Sequence, residues 1–342
     1  MSIRLLSFLF FMSNAIRHSY SDTQCPTVPS SPADRRTDPN RLRLMQFNAE
    51  WLFIDYCSSS DCPGNGCTWK NQTEAETHLK EIQTVIKKLN PDILNICEIE
   101  GCDELNDLIS GLPNEYKPYL IKGKDTVTGQ NVGMLTKVDP LVNLYRTENR
   151  VTYPIPGSTC GYTGTPTETG VSKHHITEFQ INNMKIAFIG AHLIAFPTDP
   201  QRCAEREGQA TILQSVIVGY VKKGYEIIMM GDFNDFDSDP MDSNNNKPVS
   251  KVLDILRGKT TTGVYSLENA AISVPKAERY TDWWDKNSDC KSVSTEFSMI
   301  DHVLLSPGLV GKIAEVSIYH GYQEFCGKYD SDHFPVIVDF VF

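Results

Sequence analysis

The stretch Glu226 to Asp237, E-I-I-M-M-G-D-F-N-D-F-D, constrains this chain more than any other. Ile227 to Met230 form an unbroken apolar run, the pattern of a fully buried strand. Gly231 ends the run, and Asp232 and Asn234 follow two residues apart, so both project to the same side of the strand's end. An acid and an amide delivered together at the carboxyl end of a buried strand sit where α/β sheets place their chemistry. An Asx-rich turn would use the same residue types, so other segments must decide between the two.

The chain has 342 residues, 40% hydrophobic and 22% charged, with ample apolar material for a large core. Its formal net charge of −11 rules out a global basic field and counts against a tight nucleic-acid binder. It counts less against an enzyme that touches phosphates briefly and brings a divalent cation. Arg4, the apolar stretch Leu5 to Met12 and the small residues Ser13, Ala15, Ser19 and Ser21 have the layout of a secretory signal peptide. Residues 1–21 are therefore expected to be removed, after Ala15 or Ser21. The apolar stretch is too short to cross a bilayer, so a secreted or lumenal protein without stable membrane insertion is expected.

All 10 cysteines follow that segment, and an even number in an oxidising compartment argues for disulfides. Zinc at Cys57, Cys62 and Cys67 is the rival reading, but the gaps are wider than zinc sites use and no C-x-x-C occurs. Asn71-Gln72-Thr73 is a glycosylation sequon.

Along the chain, residues 22–40 lack hydrophobic period and read as a disordered lead-in. Strands are expected over Arg41–Phe47, Ile93–Ile96, Tyr116–Ile121, Val132–Thr136, Glu226–Met230, Phe297–Leu305 and Phe334–Phe340. His174–Ile181 and Lys185–Ala191 form a hairpin about Asn182-Asn183. Helices are expected over Thr73–Leu89, with Thr73 and Glu76 as a capping box, and over Asp103–Leu112, Cys203–Val221 and Ser250–Leu256. Val151 to Val171 reads as a long surface loop. Helices between strands, interrupted by hairpins, predict an α/β fold in which two mixed sheets pack together with helices outside.

Polar residues recur where these strands end: Asn48, Glu98, His192, Asp232, Asn234, Asp301 and the triplet Ser331-Asp332-His333. A hard divalent cation takes oxygen ligands, and one or two carboxylates such as Glu98 suffice alongside water and phosphate. Histidines at 192 and 333 titrate near neutrality and suit proton transfer. Each residue also has a plain reading, as a surface acid, a satisfied core histidine or a strand-flank polar group.

The segments Phe47-Asn48-Ala49-Glu50-Trp51, Ile96-Cys97-Glu98, Gly190-Ala191-His192-Leu193, Gly231-Asp232-Phe233-Asn234, Ser298-Met299-Ile300-Asp301-His302 and Ser331-Asp332-His333-Phe334-Pro335 resemble, in order, the endonuclease/exonuclease/phosphatase superfamily and its pancreatic-type deoxyribonucleases. The resemblance implies one such domain over residues 41–342, a four-layer αββα sandwich with its active site where the sheets open at one edge. It implies that Glu98 binds the metal, with Asn48 helping to place metal and phosphate and Asp332 at or beside the metal. Asp232 orients the attacking water, Asn234 holds the scissile phosphate, and His333, its tautomer fixed by Asp301, contacts that phosphate. His192 matches the second catalytic histidine, the proton donor to the leaving oxygen, and Lys173 matches a basic residue, usually Arg, that faces the phosphate. One departure stands out: where the deoxyribonucleases pair that second histidine with an acid, this chain has Gln130 and Asn131, with Asp125 the nearest acid.

The expected activity is a secreted, monomeric phosphodiesterase dependent on Mg²⁺, with Ca²⁺ or Mn²⁺ as alternatives, that hydrolyses DNA or RNA. Sphingomyelinase-like or phosphomonoesterase activity, and a non-catalytic binding protein, are the alternatives within the superfamily. Neither the W-C-D-R-I run of 5-phosphatases nor the His-Thr-Gln run of sphingomyelinases is present. Tyr280, Trp283 and Trp284 offer base stacking or lipid insertion, against the plainer reading of core packing.

Overall fold

A computed structural model describes residues 24–54, 68–260, 263–322 and 330–342. The expected signal peptide, residues 1–21, and Cys57, Cys62, Cys67 and Cys326 lie outside the described residues. The chain begins with β1 (Arg41–Leu52), α1 (Gln72–Leu89), β2 (Ile93–Ile99), α2 (Cys102–Ser110), β3 (Lys117–Leu120) and β4 (Asn131–Thr136). A small ribbon of β5 (Val151–Tyr153) and β6 (Thr167–Thr169) follows, then β7 (Lys173–Ile181), β8 (Met184–His192), α3 (Pro200–Val221) and β9 (Glu226–Asp232). The last third holds α4 (Val252–Leu256), β10 (Glu268–Asn269), β11 (Asp282–Trp283), β12 (Phe297–Ser298), β13 (Asp301–Leu305), α5 (Pro307–Val310), β14 (Ile313–Ile318) and β15 (Val336–Val341).

Two sheets result, one of six strands in the order β14-β15-β1-β2-β4-β3 and one of five in the order β10-β13-β9-β8-β7. Both are mixed, since β1 with β2 and β8 with β9 run parallel while the other ladders are antiparallel. Side-chain alternation explains the layering. On β1, Leu42 and Leu44 join the core between the sheets, whereas Met45, Phe47 and Ala49 face α1 and α2. On β9, Ile228 and Met230 face the other sheet, whereas Ile227 and Met229 pack beneath α3 and α4. A strand covered on both faces must be apolar at every position, which is why Ile227 to Met230 show no alternation. The architecture is the four-layer αββα sandwich expected from the sequence.

Several local expectations change. The helix α1 is capped by Asn71, whose Oδ1 accepts from the Glu74 amide at 3.1 Å, two residues earlier than a Thr73–Glu76 box. The loop 151–171 contains the β5–β6 ribbon and is tied to α3 by a Cys160–Cys203 disulfide. The stretch 297–305 is two strands, because β12 pairs with β11 while β13 pairs with β9. A further strand, β14, pairs with β15 at the edge of the six-stranded sheet.

The lead-in is fastened rather than free. Cys25 is bonded to Cys102 on α2, and Asp34 bridges to Val138. The Arg35 guanidinium donates to both oxygens of Asp139 at 2.8 and 2.7 Å. Asp139 also accepts from the Ala33 amide at 3.0 Å and the Tyr119 hydroxyl at 2.9 Å. Composition marked this segment as lacking a core of its own; a disulfide and a bidentate pair anchor it to someone else's. Among the described residues, no helix is long and apolar enough to cross a membrane.

Burial alone would raise the Asp139 pKa, but its hydrogen bonds to Arg35, Ala33 and Tyr119 outweigh that and hold it below the ordinary value. A depressed folded-state pKa means the pair stabilises at neutral pH and its contribution fades as acid protonates the carboxylate. Asp139→Ala should cost about 2 kcal/mol in urea unfolding at pH 7. The gap between variant and wild type should narrow as the pH falls below about 4.

Candidate active site

One row of backbone pairing assembles half of the site. In the five-stranded sheet Lys173 lies opposite His192, His192 beside Asp232, and Asp232 opposite Asp301. These residues sit on β7, β8, β9 and β13, at the edge where β8 and β9 end. Close packing enforces the register: a Cβ on Gly231 would lie 1.8 Å from the Ala191 carbonyl oxygen, so only glycine permits β8 and β9 to meet here.

The six-stranded sheet supplies the facing half through an irregularity. The β1–β2 ladder shifts register between Asn48 and Leu52, and Glu50, Trp51 and Glu98 take positive φ values of 45°, 49° and 62°. The side chains hold that shape: Asn48 Oδ1 accepts from the Glu50 amide at 3.0 Å, and Glu98 Oε2 from the Trp51 amide at 3.1 Å. Asn48 Nδ2 is then left to bridge the sheets, 3.2 Å from Glu98 Oε1, 3.0 Å from Asp232 Oδ2 and 3.4 Å from His333 Nε2.

Around this amide the other groups converge. His192 Nε2 is 3.5 Å from Asp232 and 3.8 Å from Glu98. His333 Nδ1 is 2.7 Å from Asp301 Oδ2, while its Nε2 lies 4.0 Å from Asp232, 3.9 Å from Asp332 and 3.8 Å from Asp282. The Asn234 amide caps Asp232 Oδ1 at 2.9 Å, and Asn234 Nδ2 donates to the Leu193 carbonyl at 3.1 Å. All of the sequence-expected positions therefore meet at one sheet edge, with Lys173 one strand beyond His192.

Burial and crowding set the electrostatics. Asp232 is pushed up to about 8 by burial and then by Asp301, with His333 acting against both. Burial also raises Asp282, Asp332 and Glu50, the last two reinforced by neighbouring carboxylates. Burial would lower His333, yet Asp301 and Asp332 outweigh it and hold the imidazole well above its usual range. His192 goes the other way, lowered by burial and then by Lys173 and His333.

The donor set suits a hard divalent cation. Glu98, His192 and Asp232 present ligand atoms within 4.8 Å of one another, as do Asp282, Asp332 and His333. Asp332 Oδ1 and His192 Nδ1 have no hydrogen-bond partner, and the acids outnumber the cationic groups that face them. A cation would relieve both the repulsion and the unpaired oxygen.

Some contributors escaped the sequence reading. Asp282 sits on the two-residue strand β11, beside His333 in an isolated bridge, with Ser298 donating to it at 2.9 Å. No periodicity announces so short a strand. Glu50 accepts from the Asp332 amide at 3.1 Å and faces inward only because of the β1 irregularity. The departure at Gln130 also resolves. Gln130 Oε1 and Asp125 Oδ2 lie 3.2 and 3.6 Å from Lys173 Nζ, so they hold the lysine and leave His192 Nδ1 without an acid. Trp283 is buried, whereas Trp284 and Phe196 are each 67% exposed, two residues after Asp282 and four after His192.

No curated protein matches the chain by sequence. Among solved structures, a mannosyl-6-phosphatase of Bacteroides thetaiotaomicron VPI-5482 is similar at 16% identity and a TM-score of 0.53, over 88% of this chain and 100% of that one. An endonuclease/exonuclease/phosphatase family protein from Bacteroides thetaiotaomicron is similar at 17% identity and a TM-score of 0.52, over 91% and 96% of the two chains. A humanized D. rerio TDP2 is similar at 13% identity and a TM-score of 0.50, over 89% and 100%. At such identities the likeness is one of fold. The family profile described as "Endonuclease/Exonuclease/phosphatase family" matches residues 45–333, from the inner strand β1 to His333 itself, and the chain belongs to that family.

Proposed function

We propose that this protein is a divalent-metal-dependent phosphodiesterase, an endonuclease acting on DNA or RNA in the secretory or extracellular space. The observation that carries the reading is the meeting of Asn48, Glu98, Asp232 and the Asp301–His333 pair at one open sheet edge, in a chain of this hydrolase family. The Cys25–Cys102 and Cys160–Cys203 disulfides support an oxidising compartment.

Glu98 and Asp332 would hold Mg²⁺, with Asn48 placing Glu98 through Nδ2 while its Oδ1 accepts from the Glu50 amide; the ion would supply Lewis-acid polarisation of a phosphoryl oxygen and charge neutralisation. Asp232 orients water for in-line attack, and its raised pKa suits a group that takes up a proton near neutrality. His333, clamped through Nδ1 by Asp301, presents Nε2 to the phosphate as a cationic donor. Asn234, whose Nδ2 gives one hydrogen to the Leu193 carbonyl, keeps the other for a phosphate oxygen and Oδ1 for water. His192, lacking an acid at Nδ1 and in surroundings that disfavour its charged form, serves as a hydrogen-bond donor to the leaving oxygen. Exposed Trp284 and Phe196 offer flat apolar faces for stacking, which is how a protein of net charge −11 can grip a nucleic acid strand.

Purified protein should nick supercoiled plasmid with Mg²⁺ and stop on addition of EDTA. Intact plasmid and RNA beside hydrolysed sphingomyelin or a phosphomonoester would move the substrate to those classes. His333→Ala and Glu98→Ala should each lower kcat by roughly 10²–10⁴-fold; unchanged activity in Glu98→Ala would remove it from the metal site. Trp284→Ala and Phe196→Ala should raise KM for single-stranded DNA by about 5-fold or more each, with kcat little altered. Equal KM values in variants and wild type would assign these rings no part in binding.

A further inference from the structure

Gln46 breaks the inward face of β1. Leu42 and Leu44 fill the core between the sheets and Asn48 reaches the site, so position 46 is the step between apolar interior and chemistry. The side chain is fully buried, and a primary amide in that setting needs partners for both ends. Its Nε2 donates to Asp301 Oδ1 at 3.0 Å, and its Oε1 accepts from Asn95 Nδ2 at 2.6 Å. Asn95, also fully buried, is the residue paired with Gln46 in the β1–β2 ladder, so the two amides stand side by side on one face.

The direction of this string is fixed by chemistry. A carboxylate only accepts, so Gln46 must offer Nε2 to Asp301, which turns Oε1 to Asn95. Asp301 thus has one oxygen held from the six-stranded sheet and the other, Oδ2, 2.7 Å from His333 Nδ1. Rotation of the carboxylate would break both bonds. The sulfur of Cys97, 3.6 Å from Gln46 Nε2, is too weak an acceptor to compete. Gly190, on β8 of the facing sheet, makes room for the Asn95 amide, because a Cβ there would fall 2.0 Å from Asn95 Oδ1, an oxygen with no hydrogen-bond partner of its own.

We propose that Gln46, braced by Asn95, is a positioning residue that acts through Asp301 to fix the aim and tautomer of His333. The assignment rests on the reading of His333 as the group that meets the phosphate. It differs from a mere strut between the sheets in that the effect of Gln46 must pass through Asp301.

A double-mutant cycle separates the two. Gln46→Leu, assayed on plasmid or the best substrate of the panel with Mg²⁺, should lower kcat about 10- to 100-fold and leave KM within about 2-fold. In an Asp301→Asn background the same change should lower kcat by less than about 2-fold, because the group it acts through is already lost. Losses that multiply in full would overturn the proposal. If Gln46→Leu does not fold, Asn95→Leu removes the brace alone, and a kcat loss that likewise vanishes in the Asp301→Asn background is expected. An Asn95→Leu loss that persists there would overturn the proposal. A readout independent of turnover is the downfield proton of His333 Nδ1, identified by its absence in His333→Ala. In Gln46→Leu, or in Asn95→Leu, it should shift or broaden; an unmoved resonance would refute the coupling. Should wild type hydrolyse nothing on the panel while that resonance responds, the phosphodiesterase reading fails and the positioning role stands.

Discussion

Everything at this site depends on acids being buried where two apolar sheets part. Asp232 and Asp301 are each about 1% exposed, and Glu50 only 4%. Taking carboxylates out of water is costly unless hydrogen bonds and opposite charge offset the loss. The protein supplies these sparingly. Asn48 reaches toward Glu98, Asp232 and His333 with a single amide, and His333 is the one imidazole here whose surroundings favour its charged form. The remaining imbalance is a standing preference for a cation.

That imbalance explains why His192 and His333, both buried and both near Asp232, behave oppositely. His333 has Asp301 at hydrogen-bond distance and Asp332 and Asp282 behind it. His192 has the Lys173 ammonium along the same register row, and the Lys173 partners Gln130 and Asp125 give the imidazole nothing. Gln130, beside β4 of the six-stranded sheet, thus holds the lysine that stands opposite His192 in the five-stranded one.

The irregular backbone is part of the same design. Positive φ at Glu50, Trp51 and Glu98 would be disfavoured in isolation. Here the hydrogen bonds that the Glu50 and Trp51 amides donate to Asn48 Oδ1 and Glu98 Oε2 hold the shape. The side chains at the site are also the clamps of the strands that carry them, so site and scaffold are one structure at this edge.

The amino-acid sequence by itself determined most strands of the two sheets, the longer helices and the layers, because buried strands and amphipathic helices leave periodic apolar patterns and such patterns are local. It also marked the acids, amides and histidines at strand ends, since polar residues after an apolar run are conspicuous. It did not show Asp282, whose two-residue strand has no period, nor Gln46, whose polarity matters only because Asp301 comes from the opposite sheet. Nor did it show that residues 24–40 are anchored, because Arg35 and Asp139 lie far apart in the chain. Tertiary structure alone decided the register that lines up Lys173, His192, Asp232 and Asp301, and with it the opposite directions in which the two histidines are shifted. Register and field both depend on what stands opposite, and a linear sequence does not record its neighbours in space.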